Sequence, residues 1–198
     1  LPPHSLPGSA MNEYHFLTLW RLTAPLDEVW DTIRDVDHWA HWWPCVRNVR
    51  TLEPGGADGV GAVRELTWHG ALPYSLTFEA RITHIDPMRE VRSVATGEVQ
   101  GTGVWRFDTE GSITVVRYAW DVHMKRNWMN KLSPIAQPLF RWNHNYVMRR
   151  GGEGLAAVLN AHLVECLDTD LPPAAIGEER NPRDLREARS RMSHDSHH

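Results

Sequence analysis

The sequence predicts an α+β domain in which an antiparallel sheet of about seven strands lies against one long C-terminal helix, with two short helices after the first strand. Three observations predict it. In residues 113 to 124, Val116, Tyr118, Trp120, Val122 and Met124 alternate with Arg117, Asp121 and His123, the period of a strand covered on one face. Between Val46 and Met124 the alternating runs are parted by "EPGGADG", "HGALP", "DPMRE", "ATGEVQGTG" and "TEGS". These are turn signals with no helix between them, which predicts a meander of about six strands. Residues 133 to 163 then change to helical periodicity.

The elements follow in chain order. Residues 1 to 10, "LPPHSLPGSA", are Pro-rich and aperiodic, and are read as a linker or vector-derived remnant before the domain, which spans 11 to 165. "EYHFLTLWRL" alternates as a first strand. In "APLDEVWDTIRDV", Pro25 opens a helix, acids occupy its first turn, and Leu26, Val29, Trp30 and Ile33 make its apolar stripe. "HWAHW" forms a second short helix, ended because Pro44 forces Trp43 into extended backbone. In residues 74 to 82, Tyr74, Leu76, Phe78, Ala80 and Ile82 share the covered face. Trp105 and Phe107 do the same on the following strands, so that face is rich in aromatics. Ser133 and Pro134 signal the long helix. On a helical wheel Leu132, Ala136, Phe140, Val147, Gly154 and Val158 form one stripe centred on Asn143, with His144 about 100° round at its edge. Residues 166 to 198 are polar and Pro-containing, and read as a mostly irregular tail.

Composition excludes several classes. A formal charge of −4 argues against a nucleic-acid binder. No apolar run is long enough to span a membrane and no signal peptide stands out, so the expected location is cytoplasmic. The two cysteines, Cys45 and Cys166, are far apart and fit free thiols. From Val122 to Gly152 no acid occurs, while Lys125, Arg126, Lys131, Arg141, Arg149 and Arg150 do. This stretch could dock an acidic partner such as a carrier protein. Ten tryptophans demand either a solid aromatic core or a cavity lined by indoles.

The segments "TAPLDEVWDTI", "HWWPCV", "GTGVWRF", "VVRYAWDV" and "PLFRWNHNYVMRRGGEGL" occur in the same order as in the START-like superfamily. The chain resembles the bacterial polyketide cyclase/dehydrase-type (SRPBCC) branch of that superfamily from about Glu13 to Leu163. The resemblance implies the helix-grip fold, a curved sheet wrapped round the long helix with a deep apolar cavity between them. Members include aromatase/cyclases, lipid and sterol carriers and quinone-binding proteins. The expected function is therefore binding of a hydrophobic, aromatic or polyketide/lipid-like molecule, or its cyclisation inside the cavity.

The candidate lining is Trp43, Trp68, Tyr74, Phe78, Trp105, Phe107, Trp120, Phe140 and Val147. For acid–base work the sequence offers Tyr118 as a phenol, Asn143 as an amide, His144 as an imidazole and Arg64 as a guanidinium. Each also has a structural alternative, as hydrogen-bond anchor or ion-pair partner. His38, His41 and Cys45 lack the companions a zinc site needs, so no metal is expected and the two histidines should face outward. Gly101 and Gly103 sit between strands and form no phosphate cradle, and no cofactor is expected. Neither cysteine has the context of an activated nucleophile.

Overall fold

The computed structural model describes residues 13–124 and 136–170. The stretch 1–10 read as a linker or remnant, the start of the long helix at Ser133 and Pro134, and residues 171–198 lie outside them. Strand β1 (Glu13–Leu22) leads into α1 (Leu26–Arg34), a single 3-10 turn (Val36–His38) and the one-turn helix α2 (Trp39–Trp42). The meander is β2 (Val46–Glu53), β3 (Val63–Trp68), β4 (Leu76–Asp86), β5 (Glu90–Gly97), β6 (Val99–Glu110) and β7 (Ile113–Met124). Helix α3 (Ala136–Val158) and strand β8 (Leu163–Asp170) complete the described chain.

The sheet has eight strands in the order β2-β3-β4-β5-β6-β7-β1-β8, one more than the sequence pattern suggests. The additional strand is β8, which begins where the long helix was expected to finish and takes residues 166 to 170 out of the expected tail. It pairs antiparallel with the outer edge of β1, Thr18 opposite Asp168 and Trp20 opposite Cys166. The buried Thr18 hydroxyl donates to Asp168 Oδ1 at 2.6 Å. A two-residue alternation broken by Glu165, Asp168 and Asp170 carries little strand signal because these residues sit at a sheet edge.

Alternation assigns the faces. Tyr14, Phe16, Thr18 and Trp20 of β1 lie in register with Val122, Trp120, Tyr118 and Val116 of β7. Continuing across, Tyr118 faces Trp105, Trp120 faces Gly103, and Gly103 faces Ser93. This inward face of the curved sheet meets α1, α2 and α3. The outward face carries ion pairs such as Arg106–Glu90 and His15–Asp121, and pairs of that kind add little stability.

The phase of α3 differs from the wheel drawn on sequence. Phe140, His144, Met148 and Leu155 are buried, whereas Val158 is 54% exposed. His144, expected at the edge of the stripe, is at its centre, and Asn143 is displaced to its flank. The apolar residues of this helix lie on two faces, Leu139, Trp142 and Tyr146 being exposed, so periodicity alone misplaces the stripe. No helix among the described residues is long and apolar enough to cross a membrane.

Candidate functional site

The narrow end of the grip is built from "HWAHWWPCV". Proline restricts the residue before it to extended backbone. Trp43 accordingly has φ −101° and ψ 100°, and α2 stops after one turn. The Trp43 indole then crosses to α3, where its Nε1–H donates to the Val147 carbonyl at 2.9 Å. Its ring stands 5.5, 5.3, 5.4 and 5.0 Å from those of Trp20, Trp39, Trp42 and Trp68. The Trp39 indole donates to the Ile33 carbonyl at 2.8 Å. Two glycines of α3 permit this approach. A Cβ on Gly151 would lie 2.3 Å from Trp43 Cε2, and one on Gly154 would lie 1.9 Å from the Trp42 carbonyl oxygen. His38 and His41 face outward with rings 5.4 Å apart, His38 held by Asp35. No group of three or more potential metal ligands occurs among the described residues.

Above this floor lies a cavity of about 550 Å³, within the range that encloses a small organic molecule. Trp43, Trp68, Tyr74, Phe78, Trp105, Trp120, Phe140 and Val147 all line it. Phe107 does not, and the expectation that it contacts ligand is corrected. It shares the inward face with Trp105, but two residues along the strand α1 already covers the sheet. There Trp30 packs edge-on against Phe107 at 5.0 Å. Trp39 also lines the cavity and went unnoticed in the sequence, although its spacing of four from Trp43 was a usable signal.

The four polar candidates all line the cavity but are not equally available. Arg64 is spent on Asp37, its Nε and Nη2 donating to the two carboxylate oxygens at 3.0 and 2.9 Å. That bidentate bond holds the Asp37 carboxyl below the usual carboxylate range. Asn143 Oδ1 accepts from the backbone N–H groups of Ala71 and Leu72 at 2.9 and 3.3 Å. Gly70 gives it access, because a Cβ there would meet that oxygen at 2.3 Å. Asn143 thus pins the β3–β4 loop to α3.

His144, on α3, and Tyr118, on β7, both line the cavity. The imidazole stacks on Phe16 at 3.9 Å and on Trp120 at 5.5 Å. Its Nδ1 is 3.4 Å from Asn145 Oδ1, and its buried Nε2 has no hydrogen-bond partner among the described residues. Burial pushes its pKa down to about 4, so the ring is neutral at pH 7. Tyr118 stacks on Trp105 at 4.2 Å, and burial raises its pKa above the ordinary phenol value. Arg64, on β3, is separated from β7 by three strands. Cys45 is buried and its thiol pushed up, the opposite of an activated nucleophile. Of the basic stretch, Lys125, Arg126 and Lys131 lie outside the described residues, the Arg141 guanidinium lies over the Phe16 ring, and Arg150 pairs with Glu153.

Comparison with known proteins agrees with this architecture. A family model described as polyketide cyclase / dehydrase and lipid transport matches residues 22–144. The Zhui aromatase/cyclase from Streptomyces sp. R1128 superposes with a TM-score of 0.63 at 20% identity, over 75% of this chain and 94% of that one. A START superfamily protein from Mycobacterium smegmatis gives 0.60 at 12% identity, over 74% and 97%. The di-domain aromatase/cyclase BexL of the BE-7585A biosynthetic pathway gives 0.61 at 20% identity, over 76% of this chain and 51% of that one. At these identities the likeness is one of fold. No curated protein sequence matches the chain.

Proposed function

The chain belongs to the polyketide cyclase/dehydrase and lipid transport family, and on that premise we propose that it binds one flat, aromatic or polyketide-like small molecule between the sheet and α3. The observation that supports this is the wall of the cavity. Trp39 from α2, Trp68 from β3, Trp105 from β6 and Trp120 from β7 surround space that no side chain fills. Indoles held rigidly by their neighbours offer flat apolar faces at little further entropic cost, which favours a ring system over a flexible chain. A cytoplasmic location, suggested by the two free thiols, belongs to the same proposal.

Native mass spectrometry of protein isolated from its own host should reveal a co-purified aromatic compound. Titration with a flat tricyclic hydrocarbon, followed by quenching of tryptophan emission, should show saturable one-to-one binding. Ala80, half-buried on the cavity wall, provides a block: Ala80→Phe should weaken binding about tenfold or more by occupying the space. Binding that survived this and other space-filling substitutions would remove the proposal.

A second reading, turnover of the bound molecule, is favoured by one observation, the unpartnered Nε2 of His144. In a poly-β-ketone the imidazole would take a proton from a carbon flanked by carbonyls, while the Tyr118 hydroxyl donates to the oxygen that gains charge. The enolate carbon would then attack a second carbonyl of the same chain, and the imidazolium would return its proton to the alkoxide so formed. That hydroxyl would leave as water with a hydrogen from the neighbouring carbon, and enolisation of the remaining ring carbonyls would give the aromatic ring. The direction of the pKa shift bears on the choice between the readings. With a pKa of about 4, the imidazolium so formed is as strong an acid as an ordinary carboxyl group, which makes His144 a weak base at neutral pH. Binding without chemistry is therefore preferred, and recovery of a bound poly-β-ketone with its mass reduced by water would reverse that preference.

A further inference from the structure

Among the described sheet residues that line the cavity, two carry hydroxyl groups, Ser93 and Tyr118. Ser93 on β5 stands directly opposite Gly103 on β6, and both Ser93 and Tyr118 line the cavity. A Cβ on Gly103 would lie 2.7 Å from the Tyr118 hydroxyl oxygen and 3.0 Å from Ser93 Oγ. The two oxygens thus converge over one glycine, which has no side chain to separate them. The phenol ring is fixed by Trp105, stacked at 4.2 Å with 26° between planes. The Ser93 hydroxyl reaches only the Gly103 carbonyl, at 3.4 Å, a length at which little hydrogen-bond energy is recovered. No described residue accepts from the Tyr118 hydroxyl.

The surrounding groups narrow what this notch recognises. The guanidinium of Arg64 is committed to Asp37 and the amide oxygen of Asn143 to the β3–β4 loop. His144 Nε2 is an acceptor when Nδ1 donates to Asn145. Over Gly103, by contrast, two O–H groups can donate to one point, and a carbonyl oxygen has two lone pairs to receive them. We propose that Ser93 and Tyr118 form an oxygen-recognition subsite that donates two hydrogen bonds to a ring carbonyl of the ligand, so that the cavity selects aromatic ketones over the corresponding hydrocarbons. This rests on the reading of the cavity as a ligand pocket, and it assigns roles to Ser93 and Gly103 that no pattern in the sequence suggests.

The test uses two flat probes of nearly equal shape, 9-fluorenone and fluorene, titrated into the full chain. Ser93→Ala and Tyr118→Phe each delete one oxygen, and near-ultraviolet circular dichroism checks that the fold is intact. Each substitution should lower the fluorenone-to-fluorene affinity ratio about fivefold. Gly103→Ala should lower it too, by pushing the phenol aside. The carbonyl stretch of bound fluorenone should lie at lower wavenumber in the wild type than in Tyr118→Phe, a difference that a purely structural tyrosine would not produce. If both probes bind and neither the ratio nor the stretch responds to the substitutions, the subsite is overturned while the pocket stands. If neither probe binds the wild type, the pocket reading fails and takes the subsite with it.

Discussion

The floor of the grip and the wall above it are both aromatic, yet they treat their polar atoms in opposite ways. At the floor, the indole N–H groups of Trp39 and Trp43 are taken up by the carbonyls of Ile33 and Val147, with Trp20 and Trp42 as the exceptions among the described residues. On the wall, Trp68 Nε1 and His144 Nε2 meet no partner among the described residues, and neither does the Tyr118 hydroxyl. A buried polar group without a partner costs on the order of 1–3 kcal/mol. The floor avoids that cost and is architecture. The wall bears it at several atoms around one space, which fits the proposed binding of a ligand there.

Substitutions can break this contrast, beginning at the floor, where the effect should be largest. Trp43→Ala should cost about 4 kcal/mol by leaving a void among its neighbours and removing the hydrogen bond that ties α2 to α3. Chemical denaturation would measure it, and a loss near 1 kcal/mol would show that α2 contributes little to the core. Gly154→Ala should cost about 3 kcal/mol despite the helix preference for alanine, because the new methyl meets backbone that cannot rotate away. A stabilised variant would mean that α2 can retreat from α3 at no cost.

The wall gives the smallest effect and a distinct signature. Burial lowers the pKa of His144, so between its folded value of about 4 and the ordinary histidine value the unfolded chain binds more protons than the folded one. Stability from this group is present above pH 6.5 and is lost as the pH falls towards 4. The loss between pH 7 and pH 4.5 is about 2 kcal/mol. His144→Gln should remove that component from the pH dependence of unfolding. An unchanged profile would show that the imidazole is not buried in neutral form.

The parts that sequence made legible are those in which a single local rule decides. Pro44 ends α2, and the alternation in residues 113 to 124 puts Tyr118 and Trp120 on the same face. Phe107 shows where such rules stop. Period 2 says which face a residue occupies, but not whether that face meets a helix or a void, and α1 arrives at Phe107 from elsewhere in the chain. Ser93 and Gly103 were invisible for a related reason: one small residue and one glycine mean nothing until register sets them opposite each other beneath a tyrosine. His144 was misplaced by about one helical step because α3 is apolar on two faces. Strand β8 was missed because an edge strand with one protected side does not need a clean pattern.

The position of β1 also governs the order in which the molecule can assemble. This first strand is paired on both sides by late ones, through contacts such as His15–Asp121 and Thr18–Asp168 that close loops of 106 and 150 residues. Closing loops of that length is entropically expensive and slow compared with forming the local hairpins of the meander. During synthesis β1 emerges before the strands that flank it, and Tyr14, Phe16 and Trp20 stay uncovered until β7 and then β8 follow. Until then its alternating aromatic face lacks its partners, and an uncovered apolar strand of this kind exposes a folding chain to aggregation.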